Sequence, residues 1–221
     1  MTLLERCRQD RDALLEACRQ RLGLPEDTLP ADLLDDVLDH LEFDLVEEEL
    51  PEGVMGEVNF DRHLVTIARG MERRVRPNTD LVGVTNSTKA HELGHIRLHE
   101  EELHLVNCRD LPADDPGYLR REYEADVYAG TFLVLERLLF ARPEMTELLE
   151  LHSTGGTMSS EELWERVLSL AAFFRVTGSL MRHLLVTNLG LLRMAEPSRE
   201  LSVSTGELVA EFWVEKAATD S

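Results

Sequence analysis

The amino-acid sequence predicts an α+β protein in which helices dominate. Several long segments repeat apolar residues at helical spacing, whereas one short central stretch alternates them at strand spacing. That stretch, Val54–Phe60 and Leu64–Ala68, carries a turn at Asn59-Phe60-Asp61-Arg62 and reads as a hairpin, the basis of a small antiparallel sheet. At 221 residues and 43% hydrophobic side chains, the chain suits one compact domain with a small appendage and is long enough for a real core.

In chain order, residues 2 to 21 form a charged amphipathic helix whose apolar positions include Leu3, Leu4, Cys7, Leu14, Leu15 and Cys18. Leu24 to Pro30 is a linker, and a helix follows from about Ala31 to Leu41. Phe43 to Val46 forms a short strand ahead of the hairpin. Asn86-Ser87-Thr88 offers N-caps for a helix from about Ser87 to Glu102. An acidic, proline-containing loop, Arg109 to Gly117, precedes a long helix from about Leu119 to Phe140. Thr154-Gly155-Gly156-Thr157 marks a break. Ser159 and Glu162 make a capping box for a helix to about Phe174, and Thr177 caps another over Gly178–Leu189. Leu208 to Val214 is a candidate last strand. The implied organisation is an N-terminal helix and linker (1–29), a core (30–152), a helical subdomain of helix-turn-helix outline (153–195) and a C-terminal tail (196–221).

Composition narrows the function classes. The net charge is −20, and the first 50 residues hold 15 acidic against 5 basic side chains. Direct nucleic-acid binding is not expected, because its affinity comes from neutralising phosphates with Lys and Arg. The acidity serves solubility or draws a basic protein partner. No apolar run approaches the roughly 20 residues of a bilayer span, so no membrane association is expected. The start does not resemble a signal peptide. Three cysteines (Cys7, Cys18, Cys108) without a Cys-x-x-Cys pair point to buried thiols in a reducing compartment. The expected location is the cytoplasm.

The densest chemistry lies at His91-Glu92-Leu93-Gly94-His95. On a helix, imidazoles four residues apart share a face and can grip one metal ion, with Glu92 on the flank where a bound water would sit. Leu93, Ile96 and Leu98 supply the apolar positions of a packed helix. Gly94 in mid-helix costs about 1 kcal/mol relative to alanine, so it needs a reason; close approach of a second helix or of a substrate is sufficient.

A catalytic site usually has three protein ligands and an open position. His99, His104, Asp114, Asp115, Glu122, Glu124 and Asp126 are the candidates for the third. His99 shares the histidine face, but eight helical residues separate its Cα from that of His91 by about 12 Å, and Arg97 stands where the longer HExxHxxGxxH pattern needs glycine. His99 therefore reads as a packing or supporting residue. Glu122 is the best third ligand. Asp126, four residues on, can orient a histidine through its free ring N–H. Ala125 and Ala129 are small enough for close approach to the Gly94 side of the motif helix. Glu124 reads as part of a solvated acidic face.

These motifs resemble the ImmA/IrrE family of metallopeptidases. Lys89-Ala90-His91-Glu92-Leu93-Gly94-His95-Ile96-Arg97-Leu98-His99 is similar to the family's AHELGHxxLH, and Glu122-x-x-Ala125-Asp126-x-Tyr128-Ala129 to its ExxANxFA. Phe174-Arg175-Val176-Thr177 with the following Leu180 to Leu185 resembles its FxVS segment and next helix. The likeness covers roughly residues 30 to 190. It implies a thermolysin-like metallopeptidase core: an active-site helix, a glutamate-bearing second helix and a small sheet bordering the cleft. It also implies cleavage or inactivation of a helix-turn-helix repressor, releasing phage, mobile-element or stress-response genes. Two departures stand out. Val134-Leu135 replaces the family's Met-Pro, so the second helix is expected to continue there, and Asp126 replaces the commoner asparagine.

The expected mechanism places zinc, with manganese as the alternative, on His91, His95 and Glu122. The metal would lower the pKa of a bound water toward about 7, and Glu92 would take its proton and pass it to the leaving amine. Tyr118, Tyr123 and His104 are candidates for holding the developing oxyanion. A substrate segment could add as a strand beside Leu64 to Ala68. Two other readings compete. One is a regulator that binds its repressor without cutting it, with a structural metal; Glu92 argues against that, because a structural site needs no general base. The other is a DNA-binding protein built on residues 160 to 190, which the acidity opposes.

Overall fold

A computed structural model describes residues 1–76, 79–103, 116–195 and 198–204. His104, Cys108, Asp114 and Asp115, and the candidate strand Leu208–Val214, lie outside the described residues. The architecture is α+β with helices dominant. The chain divides into two compact units, Met1–Leu133 and Val134–Ser221.

The first unit begins with helix α1 (Leu3–Leu22), closed at its start by a capping box between Thr2 and Glu5. Its inner face buries Cys7, Arg11, Leu14, Leu15 and Cys18. Burial pushes the Cys7 thiol up to about 12, which suits a packing role and not a nucleophile. The segment expected as one helix from Ala31 to Leu41 is a 3-10 turn, Pro30–Asp32, followed by α2 (Leu34–His40).

Strands β1 (Asp44–Glu48), β2 (Gly56–Asn59) and β3 (Leu64–Ala68) make a three-stranded sheet in the order β1-β3-β2. The hairpin β2–β3 is antiparallel, with Asn59 opposite Leu64. Its turn is held by Asn59 Oδ1, which accepts the Arg62 N–H at 3.1 Å, and His63 occupies the left-handed region at φ 47°. The sheet is mixed, because β1 joins β3 in parallel, with Asp44 opposite Leu64. This corrects one expectation about substrate. Both edges of β3 are taken by its neighbours, so no strand can add beside Leu64–Ala68; the edge strands are β1 and β2. Arg74 anchors the chain entering β2, donating to the carbonyls of Leu50, Pro51 and Val54 at 2.6, 2.8 and 3.2 Å.

Helix α3 (Leu81–Leu103) starts earlier than the expected Ser87. Asp80 caps it: its Oδ1 accepts the Val82 N–H at 3.1 Å and its carbonyl accepts that of Val84 at 3.0 Å. Asn86, Ser87 and Thr88 consequently lie inside the helix.

Helix α4 (Pro116–Leu133) packs along α3, and α1 packs on α4. The expected continuous helix to Phe140 breaks at Val134-Leu135, and α5 (Glu136–Phe140) begins anew. A physical cause is visible at the carbonyl of Thr131. In an unbroken helix it would accept the N–H of Leu135; here it accepts Arg11 Nη1 from α1 at 3.0 Å, and Leu135 turns extended at ψ 121°.

Asp10 ties α1 to both of the other long helices. It accepts from Arg97 of α3 through both carboxylate oxygens, at 2.5 and 3.0 Å, and from the hydroxyl of Tyr128 of α4 at 2.5 Å. Tyr128 is fully buried, so removing its acceptor leaves a hydroxyl dry and unpaired. Asp10→Ala is expected to destabilise the protein by about 2 kcal/mol. Urea unfolding should show this, with a smaller loss when the change is made on Tyr128→Phe; an equal loss in both would show that the hydroxyl plays no part.

The second unit comprises α5, α6 (Pro143–Thr154), α7 (Ser160–Phe174), α8 (Gly178–His183), a π-helical turn Leu184–Asn188, and a hairpin of β4 (Leu192–Ala195) and β5 (Glu200–Val203). The capping box of Ser159 and Glu162 and the Thr177 cap start α7 and α8. The β4–β5 hairpin was not anticipated; its alternation is only four residues long on each side. Among the described residues, no helix is long and apolar enough to cross a membrane.

Candidate metal centre

The site lies where α3 and α4 pack together. A Cβ at Gly94 would stand 2.9 Å from the Cα of Ala125 and 3.0 Å from its carbonyl oxygen. Glycine is therefore what lets the two backbones touch, offsetting its cost in mid-helix. The close approach sets Glu122 of α4 opposite His91 and His95 of α3. One Glu122 oxygen lies 3.3 Å from His91 Nε2 and the other 3.4 Å from His95 Nε2. The two Nε2 atoms are 3.1 Å apart. The donor atoms of His91, His95 and Glu122 all fall within 4.8 Å of one another, a group that can hold a metal ion.

The outer ring nitrogens are engaged. Asp126 Oδ1 lies 2.9 Å from His91 Nδ1. An ionised carboxylate only accepts, so His91 donates from Nδ1 to Asp126, and Nε2 is the nitrogen turned toward Glu122. His95 Nδ1 lies 3.2 Å from His99 Nδ1, and His99 Nε2 lies 2.8 Å from Glu124 Oε2. His99 is buried and touches His95 from behind, away from the three donor atoms. The reading of Glu124 as a solvated acidic side chain is corrected, since it closes the hydrogen-bond chain behind His95. The signal was available in principle: Glu124 is two residues from Glu122, and His99 repeats the four-residue histidine spacing. Only the pairing of helices joins them.

Glu92 is 6% exposed. Burial raises its pKa, opposed by the neighbouring His91 and His95 and reinforced by the charge of Glu122. Its carboxylate also borders the sheet, since a Cβ at Gly56 of β2 would meet Glu92 Oε1 at 2.7 Å. The Glu92 carboxylate is thereby held between the two histidines and edge strand β2.

Tyr118 lies one helical turn before Glu122 on the same face of α4. Tyr123, one residue beyond Glu122, projects about 100° around the helix and is 49% exposed. Tyr118 therefore shares the Glu122 face of α4, and Tyr123 does not.

The electrostatics fit a cation. Burial alone would lower the His91 pKa, but hydrogen bonds to Asp126 and Glu122 outweigh it and bring the value to about 10. Burial opposes ionisation of Glu122, yet hydrogen bonds from His91 and His95 hold it well below the usual carboxylate range. Two imidazoles and a carboxylate form a borderline donor set that suits a divalent transition metal.

No family model matches the chain, and no curated protein matches it. A solved structure described as a Mycobacterium tuberculosis transcriptional regulator is similar at 17% identity and a TM-score of 0.44, covering 90% of this chain and 52% of that one. The chain spans about half the length of that protein.

Proposed function

We propose that the chain is a zinc-dependent endopeptidase of the ImmA/IrrE type whose substrate is a protein, a helix-turn-helix transcriptional repressor. The observation that carries the reading is Glu92. A buried carboxylate beside two histidines and a glutamate that can share one ion has no use in a purely structural metal site, and is the group a hydrolytic site requires. Zinc, or manganese in its place, would be held by His91, His95 and Glu122 and would supply Lewis acidity to the attacking water and the scissile carbonyl. Glu92 removes the proton from that water and returns it to the leaving amide nitrogen. Asp126 and His99 keep the two imidazoles aimed inward. The outer edge of β2, where Gly56 borders Glu92, would offer main-chain groups to an extended substrate segment. A chain of net charge −20 suits a basic, DNA-binding substrate.

The test is incubation of the zinc-loaded protein with a helix-turn-helix repressor encoded beside it, followed by mass spectrometry for discrete fragments. Binding without fragments would favour the non-cleaving regulator.

The metal-free protein makes a further expectation about pH. His91, with a folded pKa of about 10 against an ordinary 6.5, stabilises the fold fully below 6.5 and loses that contribution as pH rises towards 10. Glu122, lowered from 4.5, contributes above 4.5 and loses its contribution as pH falls. Both are fully present only between those ordinary values. Zinc needs His91 unprotonated, so uptake near neutral pH is expected to release about one proton and to tighten as pH rises. Titration in weak buffer measures this directly; uptake without proton release would contradict it.

A further inference from the structure

We propose that Glu124 and His99 are positioning residues that fix the orientation and tautomer of His95, so that zinc affinity depends on a carboxylate two hydrogen bonds removed from the ion. The proposal rests on the metal reading above and extends it to a residue outside the ligand set. Direction along the chain is set at its far end. Glu124 Oε2, 2.8 Å from His99 Nε2, can only accept, so His99 carries a proton on Nε2 and, as a neutral ring, presents Nδ1 as the acceptor. His95 Nδ1, 3.2 Å away, is then the donor, so that Nε2, turned toward His91 and Glu122, is the nitrogen that would hold zinc.

The two ligand histidines are thus supported differently. His91 has its own carboxylate in Asp126, whose side chain is 63% exposed. His95 is supported through His99, whose side chain is 1% exposed, and only then reaches Glu124, at 22%. A buried imidazole between ligand and carboxylate carries the polarisation inward without placing a second charge beside His95. It also locks the His95 ring, because His99 cannot turn without breaking its hydrogen bonds to His95 and Glu124. Glu124 is itself steadied by Arg120, whose Nη1 lies 3.4 Å from its other oxygen.

Supporting partners of this kind are worth about 10–100-fold in metal affinity. In competition with a chromophoric chelator, the full chain carrying Glu124→Ala is expected to bind zinc about 10-fold or more weakly than wild type. Its metal-free form should unfold at a somewhat lower temperature, because the buried His99 N–H loses its acceptor, so zinc affinity is read well below that transition. Glu124→Gln keeps an acceptor oxygen in the same place and is expected to recover much of the affinity, which a loss of packing or of surface charge would not predict. On a His99→Gln background, Glu124→Ala should cost nothing further. Zinc affinity of Glu124→Ala within twofold of wild type, or an equal loss with and without His99, overturns the relay while leaving the metal site standing. A wild-type chain that takes up no zinc overturns the metal reading itself, and the relay with it.

Discussion

Glu92→Gln is expected to slow peptide-bond cleavage by about 10²–10⁴-fold while leaving zinc affinity within a few-fold of wild type. The amide keeps nearly the shape of the carboxylate, so the contact with Gly56 on β2 and the packing of α3 survive. What it loses is the ability to take a proton from water. Burial works in favour of the native residue: by raising the Glu92 pKa it makes the carboxylate a better base than an exposed glutamate. The histidines that oppose this shift are the proposed ligands, so loading the site alters the balance and the pH profile of cleavage should report it. The measurement pairs single-turnover cleavage of the repressor with zinc competition on the same preparation. Undiminished cleavage by the variant would remove Glu92 from the chemistry; loss of zinc together with activity would make Glu92 a structural support instead.

Gly94→Val should both destabilise the protein, by about 3 kcal/mol, and weaken zinc binding. The added Cβ arrives 2.9 Å from the Cα of Ala125, a backbone atom that cannot rotate away, and 3.2 Å from Cβ of the buried Tyr128. Relief requires α4 to move off α3, which takes Glu122 away from His91 and His95. Valine is the sharper choice over alanine for a thermodynamic reason. Alanine recovers about 1 kcal/mol of helix propensity over glycine, offsetting part of the overpacking, whereas β-branched valine recovers less and adds two methyl groups. Urea unfolding of the metal-free protein and zinc competition should change together. Loss of stability with unaltered zinc affinity would mean that the helices part elsewhere and the site does not depend on this contact.

Local signals in the chain were reliable where one residue sets the local outcome. Ser159 with Glu162 starts α7, and Thr177 starts α8, because a side-chain oxygen satisfies an otherwise orphaned N–H whatever the surroundings. The hairpin β2–β3 was legible for the same reason, its alternation being bounded by a turn. Expectations went astray where another local cap or a distant partner intervened. Asp80 captured the start of α3 ahead of the polar run at Asn86-Ser87-Thr88. Arg11, far off in sequence, took the Thr131 carbonyl where α4 stops. β1 joined the sheet in parallel, a pairing for which five residues of a short strand carry no mark.

The site divides along the same line. Four-residue spacing on a helix sets His91 and His95 side by side, and glycine between them allows a second helix to approach, because helical geometry is a property of the local chain. The sequence by itself therefore determined an α+β chain with a histidine pair, a neighbouring carboxylate and a candidate third ligand in Glu122. Tertiary structure alone decided which carboxylate stands behind each histidine: Asp126 behind His91, and Glu124, through His99, behind His95. It alone set edge strand β2 against Glu92 and left β3 enclosed. The reason is that hydrogen-bond partners across two packed helices depend on their relative rotation and offset, which is fixed by contacts such as Gly94 on Ala125 and Asp10 between Arg97 and Tyr128.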